Sequence, residues 1–327
     1  MTTGDREAAR CPWTGDTMRA WMVVPGDWRR PEVDESYEAV RCDQCGYGLL
    51  YPRPTAQQIR AYYDVAEYYT HRRGGKRAAS IPFVHRVRRH LAWRCDRSQT
   101  LDGEQVQLHV DHTPSRVIEL GCGNGALLLD VRQFGHEVFG VEPDPDAQTV
   151  ARAAGIPVYE GSAETLPETL IAEHGEHSFD VVLMRHVLEH VLDPLQALKS
   201  ARRLLKPGGR LLCETPNNDA LGLRFAGPSW NWLDVPRHIN FFTSESLTAA
   251  CESAGFEVRE SHYCGYFRQF DSPWVDAEQH IQDTLTKAGI RTPAHARAWA
   301  LLVSTVFASR RLKYDSVRVT AVPKPLA

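Results

Sequence analysis

Val117-Ile-Glu-Leu-Gly-Cys-Gly-Asn-Gly-Ala126 joins a short apolar run to a helix-like pattern through three glycines. Glycines placed there let the backbone turn tightly and let a ligand approach the main chain. Taken alone, the loop is ambiguous, because Gly121, Gly123 and Ala126 also satisfy the dinucleotide fingerprint. Glu119 stands two residues before the first glycine. A carboxylate there suits a ligand carrying an ammonium group and repels a pyrophosphate, which needs the helix start free of anions. Glu142, about twenty residues on, suits ribose hydroxyls and fits either kind of ligand. Only Glu119 discriminates.

Outward from this loop, strands and helices alternate. Val117–Leu120, Glu137–Glu142, Pro157–Tyr159, Phe179–Met184 and Arg210–Glu214 read as strands. Gly125–Phe134, Asp146–Ala154 and Pro194–Leu205 read as helices, and Lys206-Pro-Gly-Gly209 as a turn of type II order. This alternation predicts an α/β fold with a doubly wound, mostly parallel sheet and a ligand crevice at the carboxyl ends of its strands. A helix at Ser244–Ala254, a strand from Phe256, a helical insertion at about 276–312 and a last strand at Ser316–Ala321 complete the pattern. Within the insertion, Trp299, Leu302, Val306 and Phe307 form an apolar stripe expected to pack against the domain.

The 327 residues are 43 % hydrophobic and 24 % charged, with a formal net charge of −3. A strongly basic nucleic-acid protein and an acidic disordered chain are both excluded by that balance. No apolar run reaches the ~20 residues of a membrane span, and the first residues lack an export signal. The expected setting is cytoplasmic, with eight cysteines in the reduced form.

Cys42-Asp-Gln-Cys45-Gly46 has the shape of a zinc knuckle, and Cys11-Pro-Trp-Thr-Gly15 that of a partner with Thr14 in place of its second cysteine. Cys11, Cys42 and Cys45 would bind zinc with a further donor such as Asp16 or a histidine. Alternatively, the ribbon has kept its fold and lost the metal. Residues 1–55 thus form a ribbon-like unit, 56–114 a helical extension with a helix from Ala56 to about Tyr69, and 115–327 the main domain. Eight Lys or Arg lie between His71 and Arg94. With Val84, Val87 and Leu91 as the apolar stripe, Arg86, Arg88 and Arg89 would face away from it, as a solvated face or a dock for an acidic carrier, a nucleotide or a phosphorylated substrate. Residues 99–114 read as a linker.

The segment Val117–Gly125 resembles motif I of class I S-adenosylmethionine-dependent methyltransferases. Phe179-Asp-Val-Val-Leu-Met-Arg-His-Val-Leu-Glu-His190, followed by Asp193-Pro194, resembles that family's fourth strand and following loop. Leu204–Gly209 resembles the turn before its fifth strand. Pro236-Arg-His-Ile-Asn-Phe-Phe-Thr243 is similar to a segment of the ubiquinone-pathway and natural-product methyltransferases, and the N-terminal cysteine ribbon resembles one that precedes such a domain elsewhere, including in sugar C-methyltransferases. The resemblance implies a Rossmann-like, seven-stranded methyltransferase fold with S-adenosylmethionine as cofactor. It implies that Glu119 and the loop Gly121, Cys122, Gly123, Asn124 and Gly125 hold the methionyl part. It further implies that Glu142 binds the ribose, that Pro143, Ser162, Ala163 and Glu164 lie at the adenine, and that Arg185 and His186 line the methyl-donor pocket.

The function so implied is methylation of a small molecule, O-methylation in specialised metabolism, with C- or N-methylation of a sugar or carrier-bound substrate as the alternative. A non-catalytic protein that binds the cofactor or a partner is the contrasting class. Alignment and exclusion of water supply most of such a transfer. A hydroxyl acceptor adds a general base, for which His186, His190 and His238 are the candidates. Each has a plain structural alternative: cofactor contact for His186, helix capping or packing for His190, loop anchoring for His238.

Overall fold

The computed structural model describes residues 9–63 and 82–325. The N-terminal unit contains strands β1 (Arg19–Val24), β2 (Tyr37–Arg41) and β3 (Gly48–Leu50). Helix α1 (Ala56–Tyr62) opens on Thr55, whose side chain forms a capping box with Gln58. The predicted continuation of this helix toward Tyr69, and the basic residues between His71 and Arg77, lie outside the described residues. Helices α2 (Phe83–Cys95) and α3 (Gly103–Gln107) follow, so the stretch read as a linker contains a turn of helix that buries Leu101 and Val106.

The main domain alternates β4 (Arg116–Leu120), α4 (Ala126–Gln133), β5 (Glu137–Glu142), α5 (Pro145–Ala153), β6 (Val158–Glu160), α6 (Glu168–His174), β7 (Phe179–Arg185), α7 (Pro194–Leu204) and β8 (Leu205–Pro216). Next come α8 (Leu221–Ala226), β9 (Asn240–Phe241), α9 (Ser244–Ser253), β10 (Phe256–Cys264), α10 (Ser272–Thr284), α11 (Ala294–Thr305), α12 (Arg310–Lys313) and β11 (Ser316–Pro323). Seven strands form one sheet in the order β10-β11-β8-β7-β4-β5-β6, with β11 antiparallel to both neighbours and the others parallel. Helices on both faces explain why central strands such as β7 read as continuous apolar runs. The strand order reverses at β4, whose neighbours β5 and β7 feed helices to opposite faces and leave a crevice at their carboxyl ends. The turn at Lys206–Gly209 is real, with Gly208 at φ +81°, but it is absorbed into β8, which begins five residues earlier than predicted.

Two expectations about helix faces are corrected. Arg88 is fully buried, while Val84 and Leu91 are 51 % and 43 % exposed, so α2 faces the core with Arg88 and Ala92. The Arg88 guanidinium donates to the Phe270 carbonyl, a partner sequence periodicity cannot show. Along α11 and the residues after it, Ala298, Leu301 and Leu302 are buried, but Phe307 is 97 % exposed and leaves the predicted stripe. The sheet of the N-terminal unit runs β1-β2-β3-β9, taking the last strand from the loop that carries Pro236–Thr243.

Candidate functional site

Gly121 and Gly123 sit at φ +73° and +53°, a region that favours glycine. A Cβ on Gly121 would lie 2.6 Å from Val187, whereas one on Gly123 would meet nothing within 4 Å. Gly123 therefore borders the open crevice. Glu142, at the end of β5, accepts from the Gly123 amide at 2.7 Å and from the Asp144 amide at 2.9 Å. Its carboxylate is thus fixed at the loop, with further acceptor capacity for hydroxyl donors. Asn124 caps the start of α4 by accepting from Ala126, and Cys122 is buried under the loop.

Glu119 is buried at the end of β4 and its Oε2 has no hydrogen-bond partner. Burial pushes this carboxyl up to about 7, against the pull of Arg185, whose Nε lies 4.0 Å from Oε1. A buried carboxylate oxygen left unpaired costs free energy until a donor arrives. An ammonium group is the chemistry that satisfies both the charge and the orphan oxygen. Pro143 is exposed beside Glu142, and Ala163 is buried in the loop after β6. Ser162 Oγ accepts from the Thr165 amide, and Glu164 turns away to the Asp193 amide at 2.7 Å.

The second part of the site follows β7. His186 has φ +56° and stacks on Trp232, ring centroids 4.4 Å apart. Its Nδ1 lies 3.1 Å from Glu189 and its Nε2 3.6 Å from Glu214. Burial opposes a charge on this ring, but the two carboxylates outweigh it and raise its pKa. In the same exchange Glu214 is held down at about 2. The two carboxylates thus favour the charged form of His186, which makes it the weakest candidate of the three for accepting a proton.

His190 and His238 behave in the opposite way. Each presents Nδ1 to a carbonyl, His190 to Arg237 at 3.2 Å and His238 to Trp232 at 2.8 Å, and for His238 this sets the hydrogen on Nδ1. Tyr63 Oη also lies 2.8 Å from His190 Nδ1. Burial lowers both pKa values, that of His238 to about 3. A ring nitrogen of each and a carboxylate oxygen of Glu189 lie within 4.8 Å of one another, and Glu189 Oε2 has no hydrogen-bond partner. The three predicted histidines are thus brought together around Glu189. Glu189, Glu214 and Tyr63 are site residues that the sequence motifs do not single out. The first of these has a signal in hindsight, since His186-x-x-Glu189-His190 places a carboxylate between two imidazoles. A groove of about 650 Å³ between α6 and α7 contains only Glu164 of the candidate set and is separate from this crevice.

At the N-terminal unit the three cysteines Cys11, Cys42 and Cys45 converge, their sulfurs within 4.8 Å of one another. All three are buried, and a hydrogen bond from Cys45 pulls Cys11 down to about 5.

A doubly wound sheet with a left-handed glycine loop, a buried acid before it and a fixed acid at the next strand end defines a nucleoside-cofactor fold of the methyltransferase type. The chain belongs to the methyltransferase-domain family, which matches residues 87–261. It is 35 % identical over 152 residues to a ubiquinone biosynthesis O-methyltransferase of Cereibacter sphaeroides, covering 43 % of this chain and 60 % of that protein. A protein of the same name from Dinoroseobacter shibae is 31 % identical over 186 residues, 54 % of this chain and 73 % of the relative. The chain thus spans about three-fifths of the length of the first of these relatives. Among solved structures, geranyl diphosphate C-methyltransferase from Streptomyces coelicolor is similar over 68 % of this chain and 78 % of its own, at 13 % identity and a TM-score of 0.44. No helix among the described residues is long and apolar enough to cross a membrane.

Proposed function

We propose that the chain is an S-adenosylmethionine-dependent methyltransferase that O-methylates a small molecule of specialised metabolism. The observation that carries this reading is the orphan Glu119 oxygen buried beside the open face of Gly123. Relatives named as O-methyltransferases support a hydroxyl acceptor. The cofactor supplies an activated methyl group on a sulfonium. Glu119 takes the ammonium group, the loop Gly121–Gly125 lies along the methionyl part, and Glu142 accepts from the ribose hydroxyls. Pro143, Ser162 and Ala163 flank the base, while Arg185 and His186 line the donor pocket. Glu164 faces Asp193 and contributes through loop shape alone.

His190 is the proton acceptor in this reading. It is neutral, partly exposed, and next to the Glu189 carboxylate, which stabilises the imidazolium formed when a hydroxyl gives up its proton. His238 buttresses it edge-on at 4.5 Å, and His186 stacked on Trp232 forms the neighbouring wall. A cytoplasmic setting, with the eight cysteines kept as thiols, belongs to the same reading. Cys11, Cys42 and Cys45 hold a structural zinc ion in the same reading.

Calorimetric titration with S-adenosylhomocysteine, with NAD as control, tests the assignment. Micromolar binding of the first and none of the second is expected; binding of NAD alone would reverse the reading of Glu119. A second reading, a carrier-bound acceptor, is favoured by a shallow cleft of about 270 Å³ lined by Arg86, Arg89, His90, Trp93 and Phe267. Arg86→Glu with Arg89→Glu should then weaken turnover of a carrier-bound acceptor and leave the free acceptor unaffected; equal rates for both would refute it.

A further inference from the structure

Two turns of the N-terminal unit are built alike. In Cys11–Gly15 the Gly15 amide donates to the Cys11 carbonyl at 2.9 Å, and in Cys42–Gly46 the Gly46 amide donates to the Cys42 carbonyl at 3.0 Å. Both turns end on a left-handed glycine, at φ +78° and +71°. Thr14 therefore stands where the second turn has Cys45. The side chains meet crosswise: Cys11 Sγ lies 3.6 Å from Cys45 Sγ, and Thr14 Oγ1 lies 3.5 Å from Cys42 Sγ.

Those separations have a direct meaning. A tetrahedral zinc ion with Zn–S of about 2.3 Å holds two thiolates about 3.8 Å apart, and an oxygen ligand at about 2.1 Å lies about 3.6 Å from a thiolate. The Cys11–Cys45 and Thr14–Cys42 pairs match these two kinds of edge. Thr14 Oγ1 also donates to Asp16 Oδ2 at 3.0 Å, so a carboxylate already stands ready to take the hydroxyl hydrogen and orient the oxygen.

We propose that the Thr14 hydroxyl, oriented by Asp16, fills the fourth position of a three-cysteine zinc centre. The inference rests on the proposed zinc reading and goes beyond it by naming the ligand that replaces the missing cysteine. The centre also bears on the catalytic wall. Thr243 Oγ1 donates to the Cys45 carbonyl at 2.8 Å, and Tyr47 Oη donates to Asn240 Oδ1 at 2.7 Å, so the knuckle holds both ends of β9, just after His238.

The test uses the full chain, measuring bound zinc per chain and then the absorption of the cobalt(II)-substituted protein. Thr14→Val keeps the shape of the side chain and removes the oxygen. It should shift the ligand-field bands, leave the thiolate charge-transfer bands at three-sulfur intensity, and weaken zinc binding by about tenfold or more. Thr14→Cys should raise the charge-transfer intensity in the ratio of four sulfurs to three and tighten binding. Circular dichroism identifies any variant that fails to fold, and Thr14→Cys decides the matter if Thr14→Val does. If zinc binds but the spectra of wild type and Thr14→Val superimpose, or Thr14→Cys adds no thiolate intensity, the Thr14 assignment is overturned and the zinc reading stands. If neither wild type nor Thr14→Cys binds metal, the zinc reading itself fails. If only Thr14→Cys binds metal, the ribbon has lost its ion through this substitution and both readings fail.

Discussion

The glycine-loop crevice and the wall facing it are held by different physics. The crevice is local: from Val117 to Glu142 the chain completes a strand, a turn, a helix and a strand, and backbone amides fix the acid at its end. The wall is assembled from distant parts. Asp27, after β1, meets Arg237 across 210 residues with two hydrogen bonds of 2.6 and 3.0 Å, both side chains fully buried. Asp234 and Arg30 extend this network, and β9 joins the loop to the ribbon. A motif can specify the first kind of site, whereas only a completed fold specifies the second.

The largest effect should therefore come from breaking the wall. Asp27→Ala leaves Arg237 as a buried charge short of partners, and removal of one partner of a buried pair costs about 3–5 kcal/mol. Chemical denaturation followed by tryptophan fluorescence should show that loss. A loss below about 1 kcal/mol would mean that the wall, like the crevice, does not depend on this long-range ion pair and is held mainly by apolar packing.

Next in size is the crevice. Gly123→Arg places a side chain in open space where the ligand is proposed to lie, at a left-handed φ that costs about 1–2 kcal/mol for an L-residue. Affinity for S-adenosylhomocysteine should fall by about 100-fold or more, roughly 2.7 kcal/mol, with the denaturation midpoint only modestly lowered. Retained affinity would move the ligand away from Gly123.

The histidine cluster comes third. His190→Gln should lower kcat by about 10- to 100-fold at neutral pH while leaving cofactor affinity unchanged. Because burial lowers the pKa of His190, its base form prevails at neutrality, and wild-type activity should decline only on the acid side, with an inflection below 6.5. An inflection above that value would point to His186, whose pKa is raised.

How far each region can be read from sequence follows from the same contrast. The alternation of strands and helices and the placement of Glu119, the glycine loop and Glu142 were legible because each depends on residues close in sequence. The orientation of α2 was not, because Arg88 is held by the Phe270 carbonyl, contributed by a segment 182 residues away. The division of labour among the histidines was equally hidden. His186, His190 and His238 look alike in sequence, and only the placement of Glu189 and Glu214 and the burial of each ring raises the pKa of the first and lowers those of the others.

The smallest effect is the most specific to the crevice. Burial raises the Glu119 carboxyl to about 7, so the free chain carries about half a proton there at neutral pH. An ammonium group bound against Oε2 favours the ionised form and drives that proton off. The sign follows from linkage: a group whose pKa falls on binding releases protons at pH values between its bound and free values. Titrations with S-adenosylhomocysteine in two buffers of different ionisation enthalpy should therefore show release of about half a proton at pH 7, rising as the pH is lowered toward 6 and vanishing by about pH 9. Glu119→Gln should abolish the release and weaken binding by about tenfold, the loss of one hydrogen bond to a charged group. Proton uptake, or release that survives the Glu119→Gln change, would place the cationic end of the ligand elsewhere and remove the argument that separates this crevice from a dinucleotide site.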